Sequence, residues 1–223
     1  MALILKGGAV FLHIPKTGGN WVTSVLRECG LVKGSIGYKH SNLDRLVSPY
    51  EARSGKRFGL LQRARIASVL KPKPFMFCFV RHPLKWYESW FKYQTQPACD
   101  WRDWGSDQDV LAWHPCCPLN GSRSETFDGF VRKALEMRPG FVSEMYSEFA
   151  KPQVEFVGRQ ESLVDDLVAV LKRLNLSFDE DFVRSFKEVG VSSAPKQKVE
   201  WDPELKQRVL ELEHLALLRY GYL

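Results

Sequence analysis

The sequence predicts an α/β fold in which a central parallel sheet is flanked by helices in three layers. Two short apolar runs, Val10–Ile14 and Phe75–Val80, have the composition of buried parallel strands. Each run is followed by turn-forming residues and then by apolar residues at helical spacing, and this alternation is typical of a parallel sheet. At 223 residues, with 44% hydrophobic and 26% charged residues, the chain fits a single domain over 1–223.

The remaining elements are predicted from apolar periodicity and from capping residues. A second strand is expected at Ser35–Lys39 and a further strand at Val154–Gly158. Residues 94–124 show little periodicity, which predicts a long functional loop. Helices are expected over about 19–30, from residue 42 or 44 toward 52, and over 60–70, 84–93, 125–137, 141–149, 161–175, 179–186 and 202–220.

A glycine turn follows the first apolar run and predicts a phosphate-binding loop. Pro15 ends the strand, and Gly18–Gly19 permit a tight turn just before a helix begins. Backbone N–H groups and the positive end of the helix dipole then converge on one point. Lys16 adds a mobile positive charge, and Thr17 and Asn20 add side-chain donors. The lysine precedes the glycines, whereas in the kinase-type P-loop it follows the last glycine.

A second phosphate-binding motif follows the apolar run at Phe75–Val80. This strand places Arg81 at its carboxyl end, where open α/β sheets bind ligands. Pro83 begins a helix, and Ser89 lies about two helical turns later. The fixed fork of guanidinium donors, together with a hydroxyl, suits a terminal phosphate.

Four segments together resemble the sulfotransferases that use 3′-phosphoadenosine 5′-phosphosulfate (PAPS), in particular the carbohydrate-type, Golgi branch. Pro15–Gly19 resembles the 5′-phosphosulfate loop, and Arg81 with a serine eight residues later resembles the 3′-phosphate motif. Residues 154–176 resemble the strand-plus-helix signature of that branch, and residues 202–222 resemble its C-terminus. Relatives commonly have Thr or Ser where this chain has Asn20.

The resemblance implies a P-loop-like sulfotransferase fold and transfer of the sulfuryl group of PAPS to a hydroxyl of a carbohydrate or small molecule. The other product is adenosine 3′,5′-bisphosphate, and no metal is expected. Residues 94–150 match the family poorly and are expected to form an insertion or cap at the acceptor site. The expected nucleotide-binding residues are Pro15, Lys16, Thr17, Gly18, Gly19, Asn20, Trp21, Arg81, Ser89, Lys196 and Lys198.

Sulfuryl transfer moves negative charge onto the bridging oxygen of the leaving phosphate, so catalysis needs in-line positioning and a cation at that oxygen. Lys16 is predicted to supply the cation. The acceptor hydroxyl must also lose a proton, for which histidine is the usual base. An acidic base such as Glu88 is the alternative.

Five histidines are available to act as the base. His40 is predicted to do so, because it follows a predicted strand and related carbohydrate sulfotransferases place their base in a comparable stretch. His13 precedes the phosphate loop, and His114 lies in the long loop, where either could contact the acceptor. His82 is interpreted as structural and His214 as a surface residue.

Net charge and segment composition limit the partners. A net charge of +6 is compatible with a polyanionic cofactor, a nucleic acid or an acidic substrate, but no arginine-rich arm favours nucleic acid. No apolar run approaches the roughly 18 residues that cross a bilayer, and no signal peptide is recognised, so a cytoplasmic location is expected. Two alternative functions are a kinase-like, nucleotide-dependent phosphotransferase and a non-catalytic nucleotide- or polyanion-binding protein.

Overall fold

The computed structural model describes residues 2–37, 39–47, 60–97, 99, 101, 114–187 and 199–223. Within these residues the chain forms a five-stranded mixed sheet with helices packed against it, so the predicted α/β class is confirmed. The strand order is β3-β1-β2-β4-β5. The strands are β1 (Ala2–Leu5), β2 (Val10–Leu12), β3 (Val32–Ile36), β4 (Met76–Val80) and β5 (Phe156–Arg159).

The predicted central parallel sheet is observed in part, because β1 is antiparallel to both of its neighbours. Strands β2, β4 and β5 are parallel to one another, as predicted, whereas β1 pairs antiparallel with β2 and with β3. The cause is a reversal at Lys6–Gly8, where Gly7 has φ 82° and Gly8 has φ 88°. Glycine adopts these left-handed angles at no steric cost, so the chain folds back into a hairpin.

The second predicted strand, Ser35–Lys39, is three residues out of place. Strand β3 covers Val32–Ile36 because it pairs with β1, with Ala2 opposite Ile36 and Leu5 opposite Val32. His40 therefore follows the strand after a turn, and its φ of 65° is left-handed. The strand predicted at 154–158 corresponds to β5, which begins two residues later and ends one residue later.

The described helices agree with the predicted periodicity, with ends that differ by a few residues; residues 48–52, toward which the helix from residue 42 or 44 was predicted to run, lie outside the described residues. The long final helix is an exception: it divides at Glu213, whose buried carboxylate accepts hydrogen bonds from the backbone N–H groups of Val142 and Ser143. The helices are α1 (Gly19–Glu28), α2 (Leu43–Val47), α3 (Leu60–Leu70), α4 (Pro83–Gln94), α5 (Phe127–Met137), α6 (Phe141–Phe149), α7 (Leu163–Arg173), α8 (Glu180–Ser185), α9 (Pro203–Leu212) and α10 (His214–Arg219).

Two hydrophobic clusters cover the two faces of the sheet. Successive strand side chains point to opposite faces, and Val10 and Leu12 accordingly belong to one cluster and Phe11 to the other. Helices α4, α5, α6, α9 and α10 contribute to the first cluster, and α1, α7 and α8 to the second. This arrangement is compatible with the three layers predicted.

The described part of 94–150 belongs to the first cluster. Phe130, Phe141 and Phe149 of α5 and α6 are buried there beside α4. Residues 102–113 lie outside the described residues, so the role of 94–150 at an acceptor site stays a prediction. Within the described part of the chain, no helix is long and apolar enough to span a bilayer.

Candidate functional site

The two predicted phosphate-binding motifs lie side by side at the carboxyl ends of neighbouring strands. Strands β2 and β4 are parallel, with Leu12 opposite Cys78, so the loops that follow them leave the sheet at the same edge. The two loops meet there: the Nη1–H of the Arg81 side chain donates to the main-chain carbonyl oxygen of Lys16 at 3.4 Å. The two motifs therefore form one site.

The loop after β2 is a tight turn that ends at the N-terminus of α1. Lys16 and Gly18 have left-handed φ angles of 65° and 84°. Gly18 is the N-cap residue, and no side chain caps the helix there. The first N–H groups of α1 have no partner within the helix and can therefore donate to an anion. The Nε1–H of Trp86 donates to the carbonyl oxygen of Pro15 at 3.0 Å, which fixes the start of the turn from α4.

Steric contacts explain why both glycines of the turn are needed. A Cβ at Gly19 would lie 2.0 Å from the His13 ring, and a Cβ at Gly18 would lie 2.5 Å from Leu163. The glycines thus let the loop pack closely against the His13 ring and against Leu163 of α7. The hydroxyl of Thr17 donates to the carbonyl oxygen of Ile14 at 3.0 Å, so its proton is used within the turn. Asn20, by contrast, is exposed.

The ammonium group of Lys16 is held in place rather than mobile. It lies 4.3 Å from the ring centroid of Tyr93, which is a cation–π distance. Burial, followed by the positive charge of Arg81, lowers the pKa of Lys16 to about 8. Among the described residues, no carboxylate is among the groups that shift this pKa. The cation with the largest effect on this pKa is Arg81, whose own pKa is lowered by burial against the opposing charges of Glu161 and Glu88.

Arg81 has a fixed main chain and a guanidinium group with an unused donor. The hydroxyl of Tyr146 accepts from the Arg81 N–H at 3.1 Å and donates to the Arg81 carbonyl oxygen at 2.9 Å. The Nε of Arg81 is buried and has no hydrogen-bond partner among the described residues. Burial lowers the pKa of Arg81, and the nearby Tyr146 and Glu161 oppose that shift.

Three of the five histidines come together beside the loop. The ring centroids of His13 and His40 are 4.5 Å apart, and those of His40 and His114 are 4.8 Å apart. The Nδ1 of His40 lies 2.9 Å from the carbonyl oxygen of His13. A carbonyl oxygen only accepts, so this contact requires Nδ1–H on His40. A neutral His40 then has its lone pair on Nε2, which can accept a proton.

The environment keeps these histidines neutral near pH 7. Burial is the largest cause, and it lowers the pKa of His13 and that of His114 to about 3. Burial also lowers the pKa of His40, and the adjacent rings of the other two histidines contribute. The Nδ1 of His114 accepts from the Cys116 N–H at 3.1 Å, which orients that ring.

Aromatic side chains of α4 connect the loop with the histidines. The rings of Trp86 and Trp90 stack at 5.6 Å, and Trp90 stacks on His114 at 5.8 Å. Tyr93, which contacts Lys16, lies 5.7 Å from Trp90. Trp86 and Trp90 are buried and pack α4 into the first cluster. Their helical spacing was visible in the sequence, but nothing in it indicated that Tyr93 contacts Lys16.

Other predicted site residues lie at the margin of this group or outside it. Ser89 is half-buried on α4. Trp21 is buried in the second cluster, and its indole N–H donates to the Phe186 carbonyl oxygen at 3.4 Å. His82 accepts from the Leu84 N–H and so caps α4, as its structural interpretation predicts. His214 is exposed on α10. Lys196 and Lys198 lie outside the described residues.

Two observations concern other places where a ligand could bind. Among the described residues, no group of three or more His, Cys, Asp or Glu side chains could hold a metal ion. An open cleft of about 420 Å³ lies at the β5 edge, but its lining, which includes Arg159, Asp166 and Tyr220, contains none of the predicted site residues.

Comparisons with protein-family models, curated proteins and solved structures find no match for this chain.

Proposed function

We propose that the protein is a PAPS-dependent sulfotransferase that transfers the sulfuryl group to a hydroxyl of a carbohydrate or small molecule. The main support is the contact between Arg81 and Lys16, because it joins two separate phosphate-binding motifs in one site. Two neighbouring half-buried cations repel each other, and a doubly phosphorylated ligand would reduce that cost. The resemblance of the two motifs to the 5′- and 3′-phosphate motifs of sulfotransferases is the second support.

The residues present fit the two ends of such a nucleotide. The uncapped N-terminus of α1 and the ammonium group of Lys16 suit the 5′-phosphosulfate. The buried Nε of Arg81, which has no partner among the described residues, suits the 3′-phosphate. An unsatisfied buried donor is costly, so a phosphate oxygen that accepts from it would stabilise the complex. Ser89, on helix α4 that follows Arg81, is the proposed hydroxyl partner of that phosphate.

The proposed reaction is an in-line displacement at sulfur. The acceptor oxygen forms a bond to sulfur while the bond from sulfur to the bridging phosphate oxygen breaks. Adenosine 3′,5′-bisphosphate leaves with the negative charge, which Lys16 stabilises. The acceptor proton passes to Nε2 of His40, whose Nδ1–H is held by the carbonyl oxygen of His13. His13 and His114, whose rings lie next to that of His40, are proposed to line the acceptor site.

The position of Thr17 makes a kinase-like phosphotransferase the weaker candidate. In the kinase-type P-loop, the hydroxyl that follows the lysine binds Mg²⁺. Thr17 follows Lys16, but its side chain is buried and donates to the carbonyl oxygen of Ile14. The loop therefore suits a phosphosulfate better than a metal-bound triphosphate.

The test is sulfate transfer from ³⁵S-labelled PAPS by the full chain to a broad panel of hydroxyl acceptors. Binding of adenosine 3′,5′-bisphosphate, adenosine 5′-phosphate and MgATP is measured on the same preparation by calorimetry. Transfer of label that requires Lys16 supports the proposal. Tight bisphosphate binding without transfer would favour a non-catalytic binding protein. Preference for MgATP, with phosphate transfer, would favour the phosphotransferase.

A further inference from the structure

The carboxylate of Glu161 joins two segments that are distant in sequence. One oxygen, Oε1, accepts from the backbone N–H of His82 at 2.8 Å, and the other, Oε2, accepts from the hydroxyl of Tyr222 at 2.9 Å. His82 directly follows Arg81, whereas Tyr222 lies in the segment after α10. Glu161 thus connects the turn that carries Arg81 to the far end of the described chain. We call these three residues the Glu161 bridge.

Ring packing strengthens the Glu161 bridge. The His82 and Tyr222 rings meet edge to face, with centroids 5.1 Å apart. The Nδ1 of His82 also accepts from the Leu84 N–H at 3.2 Å, which fixes the ring. Burial and the nearby Glu161 raise the pKa of Tyr222, so its hydroxyl stays protonated and donates across the physiological pH range.

The segment that carries Tyr222 is itself anchored. The Tyr222 N–H donates to the Leu217 carbonyl oxygen at 2.9 Å. Arg159, at the end of β5, donates from Nη1 to the Gly221 carbonyl oxygen at 3.2 Å. Gly221 has φ 71°, which glycine adopts readily and which lets the chain turn back here. Tyr222 is therefore fixed before it meets Glu161.

The main chain around Arg81 is consequently held on two sides. Tyr146 holds the Arg81 N–H and carbonyl groups, and the Glu161 bridge holds the next N–H group. Removing the second contact would leave the turn attached to α6 and to the start of α4, but would release the His82 N–H group. We expect the added freedom of that peptide to loosen the orientation of the Arg81 guanidinium group.

We propose that Tyr222 is a positioning residue for the 3′-phosphate, acting through Glu161 and His82 on Arg81. This inference rests on the proposed function for the identity of the ligand. Tyr222 does not touch the phosphate in this arrangement. It holds Arg81 in the orientation in which the guanidinium donors face the anion. A purely structural Tyr222 would affect folding stability and would not discriminate between nucleotides with and without a 3′-phosphate.

The variant Tyr222→Phe tests this, because it removes the hydroxyl and keeps the ring against His82. Affinity for adenosine 3′,5′-bisphosphate should fall about three- to tenfold, the range for one hydrogen bond, with that for adenosine 5′-phosphate unchanged. Tyr220→Phe is the matched control, since the buried Tyr220 hydroxyl has no partner among the described residues. It should leave both affinities unchanged. The proposal would be overturned if Tyr222→Phe bound adenosine 3′,5′-bisphosphate as tightly as the unmodified chain does. It would also be overturned if the variant lost affinity equally for both nucleotides.

A double-mutant cycle and a ligand-independent measurement complete the test. In a Glu161→Ala background, Tyr222→Phe should cause no further loss of affinity; a full additional loss contradicts action through Glu161. Amide exchange at His82, followed by NMR without nucleotide, should accelerate at least about threefold in Tyr222→Phe and not in Tyr220→Phe. If the unmodified chain binds neither nucleotide, the proposed function fails, and the exchange result still decides whether Tyr222 restrains the turn.

Discussion

Arg81 donates a hydrogen bond to the carbonyl oxygen of Lys16 at 3.4 Å, although 65 positions separate them in the sequence. The contact arises because β2 and β4 are parallel neighbours whose carboxyl ends reach the same edge of the sheet. Lys16 keeps its left-handed backbone there, and its ammonium group lies over Tyr93. A left-handed lysine beside a second cation is an unfavourable arrangement that a bound anion would compensate.

Replacing Lys16 by alanine should lower turnover far more than it weakens PAPS binding. The ammonium group is proposed to stabilise charge that develops only in the transition state, so kcat should fall about 10²- to 10³-fold. The PAPS dissociation constant should change less than about tenfold, as expected for one point charge among several donors. Steady-state kinetics and calorimetry measure the two quantities. Lys33→Ala, at an exposed position of β3, is the charge-matched control. If Lys16→Ala lowered kcat and PAPS affinity by equal factors, Lys16 would contribute to PAPS binding alone.

Replacing Arg81 by alanine should lower the affinity for PAPS and the affinity for adenosine 3′,5′-bisphosphate together. Loss of charge-assisted hydrogen bonds to one phosphate predicts a decrease in affinity of about 10- to 100-fold. A nucleotide without the 3′-phosphate should keep its affinity to within about threefold. Calorimetry with adenosine 5′-phosphate provides this comparison. If the affinities for both nucleotides decrease by the same factor, the assignment of Arg81 to the 3′-phosphate is wrong.

The variant His40→Asn should remove the proposed general base while keeping the local backbone. Asparagine tolerates the left-handed φ of 65° at this position, and its amide can still donate to the His13 carbonyl oxygen. Without Nε2, kcat should decrease about 10²- to 10⁴-fold, and PAPS affinity should be unchanged. His114→Asn is the comparison variant, with a smaller expected loss of kcat. A larger loss of kcat in His114→Asn would transfer the role of base to His114.

Stability should decrease on acidification because the histidine cluster is buried in its neutral form. The pKa values of His13 and His114 are about 3 in the folded chain and about 6.5 when unfolded. Below about pH 6.5 the unfolded chain binds more protons, so the free energy of unfolding falls progressively as the pH is lowered toward about 3. Urea unfolding at several pH values measures this. His114→Phe should reduce the slope between these pH values, whereas His214→Gln, at an exposed position, should not; equal slopes would contradict the buried neutral cluster.

Activity should decrease at alkaline pH as Lys16 loses its proton. Burial and Arg81 lower the pKa of Lys16 to about 8, so the charged form decreases as the pH rises through that value. The profile of kcat/KM reports the free enzyme and should show this alkaline limb. In Lys16→Arg the alkaline decrease of kcat/KM should disappear, because the guanidinium group of arginine stays protonated over this pH range. An unchanged limb in Lys16→Arg would assign it to another group.

Local features were predictable from the sequence because they depend on neighbouring residues. The apolar run at Phe75–Val80 predicted β4, and the turn residues after it correctly placed Arg81 at a strand end. Capping residues likewise predicted where helices begin, as at Asp202, whose carboxylate accepts from the Leu205 N–H. The first strand was missed, although Gly7–Gly8 between two apolar runs is a recognisable hairpin signal.

By itself, the sequence determined the α/β class, most of the elements and the two motifs that we propose to bind phosphate, because the period of apolar residues and the glycine turns are local properties. Only the tertiary structure decided which side chains meet. His13, His40 and His114 come from three separate segments, and Glu161 reaches Tyr222 across 61 positions. The lowered pKa of Lys16 comes from burial and from Arg81, neither of which is a local property. The physical reason is that strand pairing and burial act between residues distant in sequence, so they appear only when the sheet is assembled.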